Sequence, residues 1–460
     1  MVSLVTDISR YLIIIIIALY TGLNFYVLRK HDLQWQGRVC NKQIFLVFLF
    51  HFLSFLIIFM RTEDPLMLVY YVIQASFFMA YRLIYSAIYP NCSKVILSNT
   101  MMLLSISLVM LTRLDMGKSR RQFIYAMAAA VITLVIPLVI EKMQFLSRLA
   151  WLYALVGIGL LGLVWRMGNT TYGAQLSFSF GGVTLQPSEF VKLSFVFFTA
   201  SMFRQKQSFA RAFGTTVIAA AHVLILVAST DLGSGLVYFL SYIFMIYVAT
   251  RNWQYLAAGS GMGVAASILA YQIFDHVKVR VAIWKDPFAD YNNKGYQLCQ
   301  ALFAIGSGGW FGLGLYRGVP TKIPVVTKDS IFAAICEEMG MIFGICIILI
   351  YLGFVIQMFW ISTWMDSLFY KIVGFGLAVM IGAQTILHIG GITAMIPMTG
   401  ITLPLISYGG SSLIGTMIII GIIQGLHLMK QKEVDYIGRR AEELFEETPP
   451  LRGSGSGRRK

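Results

Sequence analysis

Charged residues are scarce in this chain, 12% of 460, and no polar domain is present to carry a basic face. Nucleic-acid binding is thereby excluded, although the formal net charge is +15. The alternating pattern of about ten residues that marks a membrane β-strand is missing, which excludes a barrel. The five cysteines, Cys40, Cys92, Cys299, Cys336 and Cys346, lack metal-ligand spacing, and an odd number argues against a complete disulfide framework. The first apolar run has no strongly basic flank before it and no small-residue cleavage site after it. A retained anchor is expected there, not a removed signal peptide.

What is present is apolar sequence. Hydrophobic residues make up 58% of the chain, mean hydropathy is +0.74, and runs such as Tyr11–Tyr20 recur to the C-terminus. Each run approaches the roughly 20 residues a helix needs to cross a ~30 Å hydrocarbon layer, so the fold class is all-α, a polytopic helical membrane protein. Apolar windows near 11–28, 44–60, 66–81, 95–111, 123–140, 149–166, 189–203, 213–230, 233–250, 254–274, 330–353, 372–391 and 411–429 predict thirteen spans. Arg29, Lys30, Arg38 and Lys42 share one loop, Arg204, Lys206 and Arg211 another, and Lys430, Lys432, Arg439 and Arg440 follow the last span. If every span crosses, all three clusters fall on one side, which the excess of Lys and Arg makes cytoplasmic, with the N-terminus outside.

The same count places a long loop, 276–329, outside, yet it holds Lys278, Arg280, Lys285, Lys294, Arg317, Lys322 and Lys328. Cations on the outer face oppose the usual bias and point to an anionic ligand. Arg113, Lys118, Arg120 and Arg121 form a second exception, for which contact with phospholipid headgroups is expected. Gly306, Gly308, Gly309, Gly312 and Gly314 interrupt the end of the loop and favour a re-entrant or interfacial segment. The tail from Lys430 ends in GSGSGRRK, a flexible composition.

Several acids lie in or beside the apolar windows. Asp329 stands at a predicted helix N-terminus, where the dipole stabilises a carboxylate. Glu337 and Glu338 follow it on one continuous helix, about 12–14 Å deeper at 1.5 Å per residue, and need a polar cavity or a cationic partner. Glu189 and Lys192 are three apart after Pro187 and can pair. Asp231 reads as a helix cap. Ser407, Tyr408, Gly409 and Gly410 form a small-residue break that lets backbone approach a substrate or another helix.

The segments LQPSEFVKL (185–193), DLGSGL (231–236), KVRVAIWKDPF with GYQLCQALFAIGSGGWFGLGL, KDSIFAAICEEMG (328–340) and PMTGITLPLISYGGSS (397–412) stand in the order seen in the SEDS family. That family, named for shape, elongation, division and sporulation, comprises cell-wall polymerases of the rod-shape, division and spore types. The resemblance divides the chain into extra N-terminal helices (1–94), a ten-span core (95–430) whose large extracellular loop lies between its spans 7 and 8, and a charged cytoplasmic tail (431–460). It implies a glycosyltransferase of the bacterial cytoplasmic membrane that polymerises lipid II and releases undecaprenyl diphosphate.

In such a reaction one carboxylate takes the acceptor proton, while cations hold the charge on a diphosphate that needs no proton to leave. The resemblance gives the base to Asp329, matching the acid of a Thr-Asp-Phe motif that here reads Lys328-Asp329-Ser330. It gives substrate contacts to Arg280, Lys285, Glu189, Lys192, Asp231, Gln297, Glu338, Ser407, Tyr408 and Gly409, with Arg280 first for the diphosphate. Implied partners are lipid II, the lipid-linked glycan, membrane lipids and a class B penicillin-binding protein transpeptidase. No organic cofactor or protein metal site is implied, and a divalent cation, Mg2+ or Mn2+, would accompany the diphosphate. Two departures from the family pattern stand out: Gly173-Ala174-Gln175-Leu176-Ser177 in place of Gly-Ala-x-Arg-Trp, and His388-Ile389-Gly390 after Gln384 in place of Asn-x-Gly. A lipid-linked precursor transporter and an inactive scaffold for a transpeptidase are the alternative readings.

Overall fold

The computed structural model describes residues 2–30, 32–142, 144–171, 174–180, 183–204 and 209–447. Gly173, Lys206 and the GSGSGRRK tail lie outside the described residues. Six helices come first: α1 (Val2–Tyr26), α2 (Leu33–Thr62), α3 (Leu66–Ile88), α4 (Lys94–Leu114), α5 (Met116–Lys142) and α6 (Ala150–Met167). A small antiparallel sheet, β1 (Asn169–Thr171), β2 (Ala174–Phe180) and β3 (Val183–Leu185), precedes α7 (Pro187–Phe203). Then follow α8 (Phe209–Ala228), α9 (Leu232–Thr250), α10 (Trp253–Ile273), α11 (Asp275–Lys285), α12 (Tyr296–Gly308), α13 (Ile331–Met339), α14 (Met341–Thr363), α15 (Leu368–Ile392) and α16 (Gly410–Glu447).

Among the described residues, twelve helices are long and apolar enough to cross a membrane, namely α1–α6, α8–α10 and α14–α16. The chain is a multi-pass helical membrane protein. The thirteenth predicted window is α7, whose 17 residues reach about 25 Å. Asp32 caps α2 by accepting from Gln34 N and Trp35 N, and Pro187 opens α7 where its missing N–H costs nothing.

Three expectations need correction, and one element is additional. The connection 169–185 contains a sheet, whose longest strand, AQLSFSF, alternates apolar and polar residues with the two-residue period of a strand. The loop 276–329 contains two helices, α11 and α12. The single window 330–353 is two helices, broken at Gly340, whose φ of +89° suits glycine and whose added Cβ would collide with the backbone of Gly312. The last helix continues past its apolar window to Glu447, so the start of the charged tail is helical.

The interior is organised around α4, which is buried along its whole apolar length by α2, α5 and α14. The N-terminal helices pack directly on the rest of the bundle: α1 on α14, α2 on α4 and α3 on α5. Polar side chains fasten these seams. Tyr20 OH donates to Asn99 Oδ1 (2.9 Å), Asn99 Nδ2 to Asn24 Oδ1 (2.9 Å) and Asn24 Nδ2 to Ile350 O (3.4 Å). His51 Nδ1 shares a hydrogen bond with Ser105 Oγ (2.9 Å). In hydrocarbon, helix association draws on such bonds and on close packing, since lipid tails are as apolar as the side chains they replace.

Candidate active site

Asp329 ends the segment that leads into α13, and other elements hold its neighbours in place. Ser407 Oγ donates to Lys328 O (2.6 Å) and accepts from Leu403 N (2.9 Å). Tyr408 N donates to Thr327 O (2.8 Å), and Lys118 Nζ donates to Thr327 Oγ1 (3.2 Å). Gln297 Nε2 donates to Ser330 Oγ, 3.0 Å away, which itself donates to Pro324 O. Gln122 braces the far side, giving a hydrogen bond to Ser407 O and taking one from Gly409 N, both 3.2 Å. The Asp329 carboxylate, half-buried in this frame, has no hydrogen-bond partner among the described residues.

Its charge is set by its surroundings. Burial pushes the Asp329 carboxyl up to about 6, against the pull of Lys328 and Arg280. At neutral pH it is ionised, yet far more basic than an ordinary aspartate. Burial lowers Arg280, while Asp231 and Asp329 favour its charged form. Arg280, on α11, is held by donating Nη1 to Thr399 O (3.2 Å). Asp231 caps α9 by accepting from Ser234 N (3.0 Å), and its Oδ2, like Thr399 Oγ1, is buried without a hydrogen-bond partner among the described residues.

The Thr399–Thr402 segment beneath Arg280 rests on a second polar group. Lys192 Nζ lies 2.6 Å from Glu189 Oε2 and 3.0 Å from Gln384 Oε1, and Gln384 Nε2 donates to Thr402 O (3.1 Å). His388 Nδ1 lies 2.7 Å from Ile401 O. Glu189 and Lys192 are 6% and 4% exposed, so the pair supports the segment from below and does not present an open surface. One of the two departures, His388, thus serves the same segment. Of the other, Ala174–Ser177 lies on β2.

Backbone strain marks the same region. Tyr316 (φ 68°), Val325 (φ 53°) and Leu405 (φ 66°) occupy the left-handed region that side chains resist, at about 1–3 kcal/mol each. Val325 and Leu405 flank the segments that Ser407 joins. Such strain persists only where surrounding contacts over-determine the conformation.

Several residues singled out in the sequence bond to the protein itself. Glu338 is fully buried, its Oε1 accepting from Arg113 Nε (3.0 Å) and Tyr316 N (3.2 Å), so it anchors a loop. Glu337 Oε1 likewise accepts from Val319 N (2.7 Å). Ser407 is 3% exposed with its hydroxyl engaged on both sides, which makes it a brace for Lys328. Arg113 turns inward instead of toward headgroups, donating also to Gly318 O and lying 4.2 Å over the Tyr316 ring, while Lys118, its side chain 40% exposed, pairs with Asp115 (3.4 Å) and reaches Thr327. Arg120 and Arg121 stay exposed. The signal for Arg113 and Lys118 was in the sequence, since both broke the same charge rule as the outer loop.

Lys285 is exposed at the end of α11, and Trp284 Nε1 donates to Ala394 O (3.0 Å). The structure therefore brings Arg280 toward Asp231 and Asp329 and ties Gln297 and Tyr408 to the segment that carries Asp329. Among the described residues no three His, Cys, Asp or Glu side chains converge as a metal site.

Fold and site together define a polytopic membrane protein with a basic carboxylate and cations at one end of its helices. A family model described as cell cycle protein, for FtsW, RodA and SpoVE, matches residues 91–432, and the chain belongs to that family. It is 30% identical over 363 residues to the peptidoglycan glycosyltransferase RodA of Mycobacterium tuberculosis strain H37Rv, covering 73% of this chain and 77% of that one. It is 32% identical over 270 residues to the stage V sporulation protein E of Bacillus subtilis, covering 57% and 74%. A chain from a peptidoglycan synthase complex, solved to describe how polymerization and crosslinking are coordinated, shares the fold: TM-score 0.62, 23% identity, 72% of this chain and 96% of that one.

Proposed function

We propose that this protein is a peptidoglycan glycosyltransferase that polymerises lipid II at the outer face of the cytoplasmic membrane. The observation that carries the reading is Asp329, a carboxylate with no hydrogen-bond partner among the described residues, pushed up to about 6 and electrostatically coupled to Arg280. As the acceptor hydroxyl attacks the anomeric carbon of the donor sugar, Asp329 takes its proton. The bond to the diphosphate breaks with its electron pair on the leaving oxygen. Arg280, with Lys328 and Lys118 near the same turn, stabilises the charge that develops there. Asp231 and Gln297 flank the sugar-bearing end, and Tyr408 closes the site beside Lys118, 6.0 Å from its ring.

A divalent cation, Mg2+ or Mn2+, would come with the substrate diphosphate and add to the charge that Arg280 supplies there. The first turns of α1 lie against the outer segment 311–317. With the loop charges, this supports an N-terminus outside and a C-terminus in the cytoplasm. Residues 1–94 are an added helical unit, and a class B penicillin-binding protein crosslinks the new strand.

Purified protein, with and without candidate transpeptidases, is given lipid II and the glycan is resolved on a gel. Polymer from the wild type and none from Asp329→Asn supports the reading. Equal polymer from both removes Asp329 as the base, and a wild type that makes none while binding a transpeptidase favours the scaffold reading.

A further inference from the structure

We propose that Asp7 and Arg10, on the first turns of α1, are positioning residues for Asp329, acting through the loop 310–319 and α13. The inference rests on the reading of Asp329 as the base. It gives the added N-terminal helices a task in the reaction.

Four contacts join α1 to this loop. Asp7 and Arg317 form a two-pronged ion pair, the second prong running from Nη2 to Oδ2 at 3.1 Å. Arg10 Nη1 donates to Gly312 O (3.2 Å). The Tyr11 and Phe311 rings lie 5.7 Å apart, and Thr6 packs beside Gly314. These partners lie on successive turns of one helix and within residues 311–317 of one loop, so the contact is a seam and not a single point.

The loop is in turn stitched to α13. Leu313 N and Gly314 N donate to the carbonyls of Glu337 and Glu338 (2.9 and 2.8 Å), while Tyr316 N donates to the Glu338 carboxylate (3.2 Å) and Val319 N to that of Glu337 (2.7 Å). Arg113 of α4 closes the arrangement through Glu338 Oε1 and Gly318 O. Met341 N and Ile342 N, at the start of α14, donate to Gly309 O and Trp310 O. Because α13 has only nine residues, a loop fixed at its C-terminal end also fixes its N-terminal end, two residues from Asp329. A helix that short, broken at Gly340, is marginal alone and needs such fixation. Without α1 the loop would keep its bonds to α13 but lose its outer wall.

The test compares lipid II polymerisation kinetics of wild type, Asp7→Asn, Arg10→Gln and the swap Asp7→Arg with Arg317→Asp, with Asp329→Asn alongside. The ion pair is partly exposed, 42% at Asp7 and 29% at Arg317, so Asp7→Asn should keep its elution profile and melting temperature. Expected are a kcat lower by about fivefold in each single variant with KM unchanged, and recovery in the swap. The acidic limb of kcat should also move to lower pH, because a looser start of α13 admits water to Asp329. Single variants within twofold of wild type, or a loss that the swap does not recover with an unmoved limb, overturn the proposal. Should Asp7→Asn fail to fold, Arg10→Gln decides the question by the same criteria. An active Asp329→Asn removes the base reading itself, whereas Asp7 variants with wild-type kinetics beside a dead Asp329→Asn remove only the positioning role.

Discussion

Replacing Asp329 with asparagine should stop the reaction and stabilise the fold at once. Burial pushes the carboxyl up to about 6 from an ordinary 3.8. At about 1.36 kcal/mol per unit, the ionised form costs at most about 3 kcal/mol, and solvent screening of a half-buried group reduces this to about 1–2 kcal/mol. Because the folded-state value lies above the unfolded one, the cost is absent below about pH 4, grows as pH rises through the interval, and is complete above about pH 6. An asparagine side chain at this position carries no such charge. Thermal melts in detergent should therefore show Asp329→Asn above wild type at pH 7.5, with the gap closing toward pH 4. Polymerisation should fall by about 10²–10⁴, the usual worth of a general base. In the wild type, kcat/KM should drop as pH falls through about 6, as the base is protonated. A variant that is both inactive and less stable at pH 7.5 would refute the argument, since the loss would then be structural.

The other predictions concern the frame around this residue. Arg280→Lys keeps the charge but loses the planar fork, and should lower kcat/KM about tenfold in initial-rate measurements; Arg280→Ala within twofold of wild type would dismiss its role. Glu189→Gln leaves Lys192 buried beside Gln384 alone and should cost about 3–5 kcal/mol in melts, while the double change Glu189→Gln with Lys192→Met should cost less. Ser407→Ala leaves Lys328 O and Leu403 N without that partner and should cost about 1–3 kcal/mol, lowering kcat more than it raises KM.

Much of this was legible in the residues. The membrane class followed from apolar runs, because a chain in hydrocarbon must satisfy its backbone within each segment and the helix does so. The order of PSE, DLG, KDS and ISYGGSS blocks pointed to the family that the comparison then established over 91–432. Cations on the wrong side drew attention to Arg280, and equally to Lys118 and to Arg113, whose inward turn no periodicity announces. Glu337 and Glu338 called for a polar cavity or a cationic partner because an intramembrane acid is costly without one; that the partners are Arg113 and backbone amides of a folded-back loop depends on the break at Gly340.

Local composition and short ordered motifs were enough for the helical class, most of the spans and the family. Tertiary structure alone decided the pairings: Ser407 with Lys328, 79 positions apart, Arg113 with Glu338, 225 apart, and Asp7 with Arg317, 310 apart. Such contacts exist only where packed helices bring distant turns within hydrogen-bond reach, and neither spacing nor hydropathy encodes which turns those are.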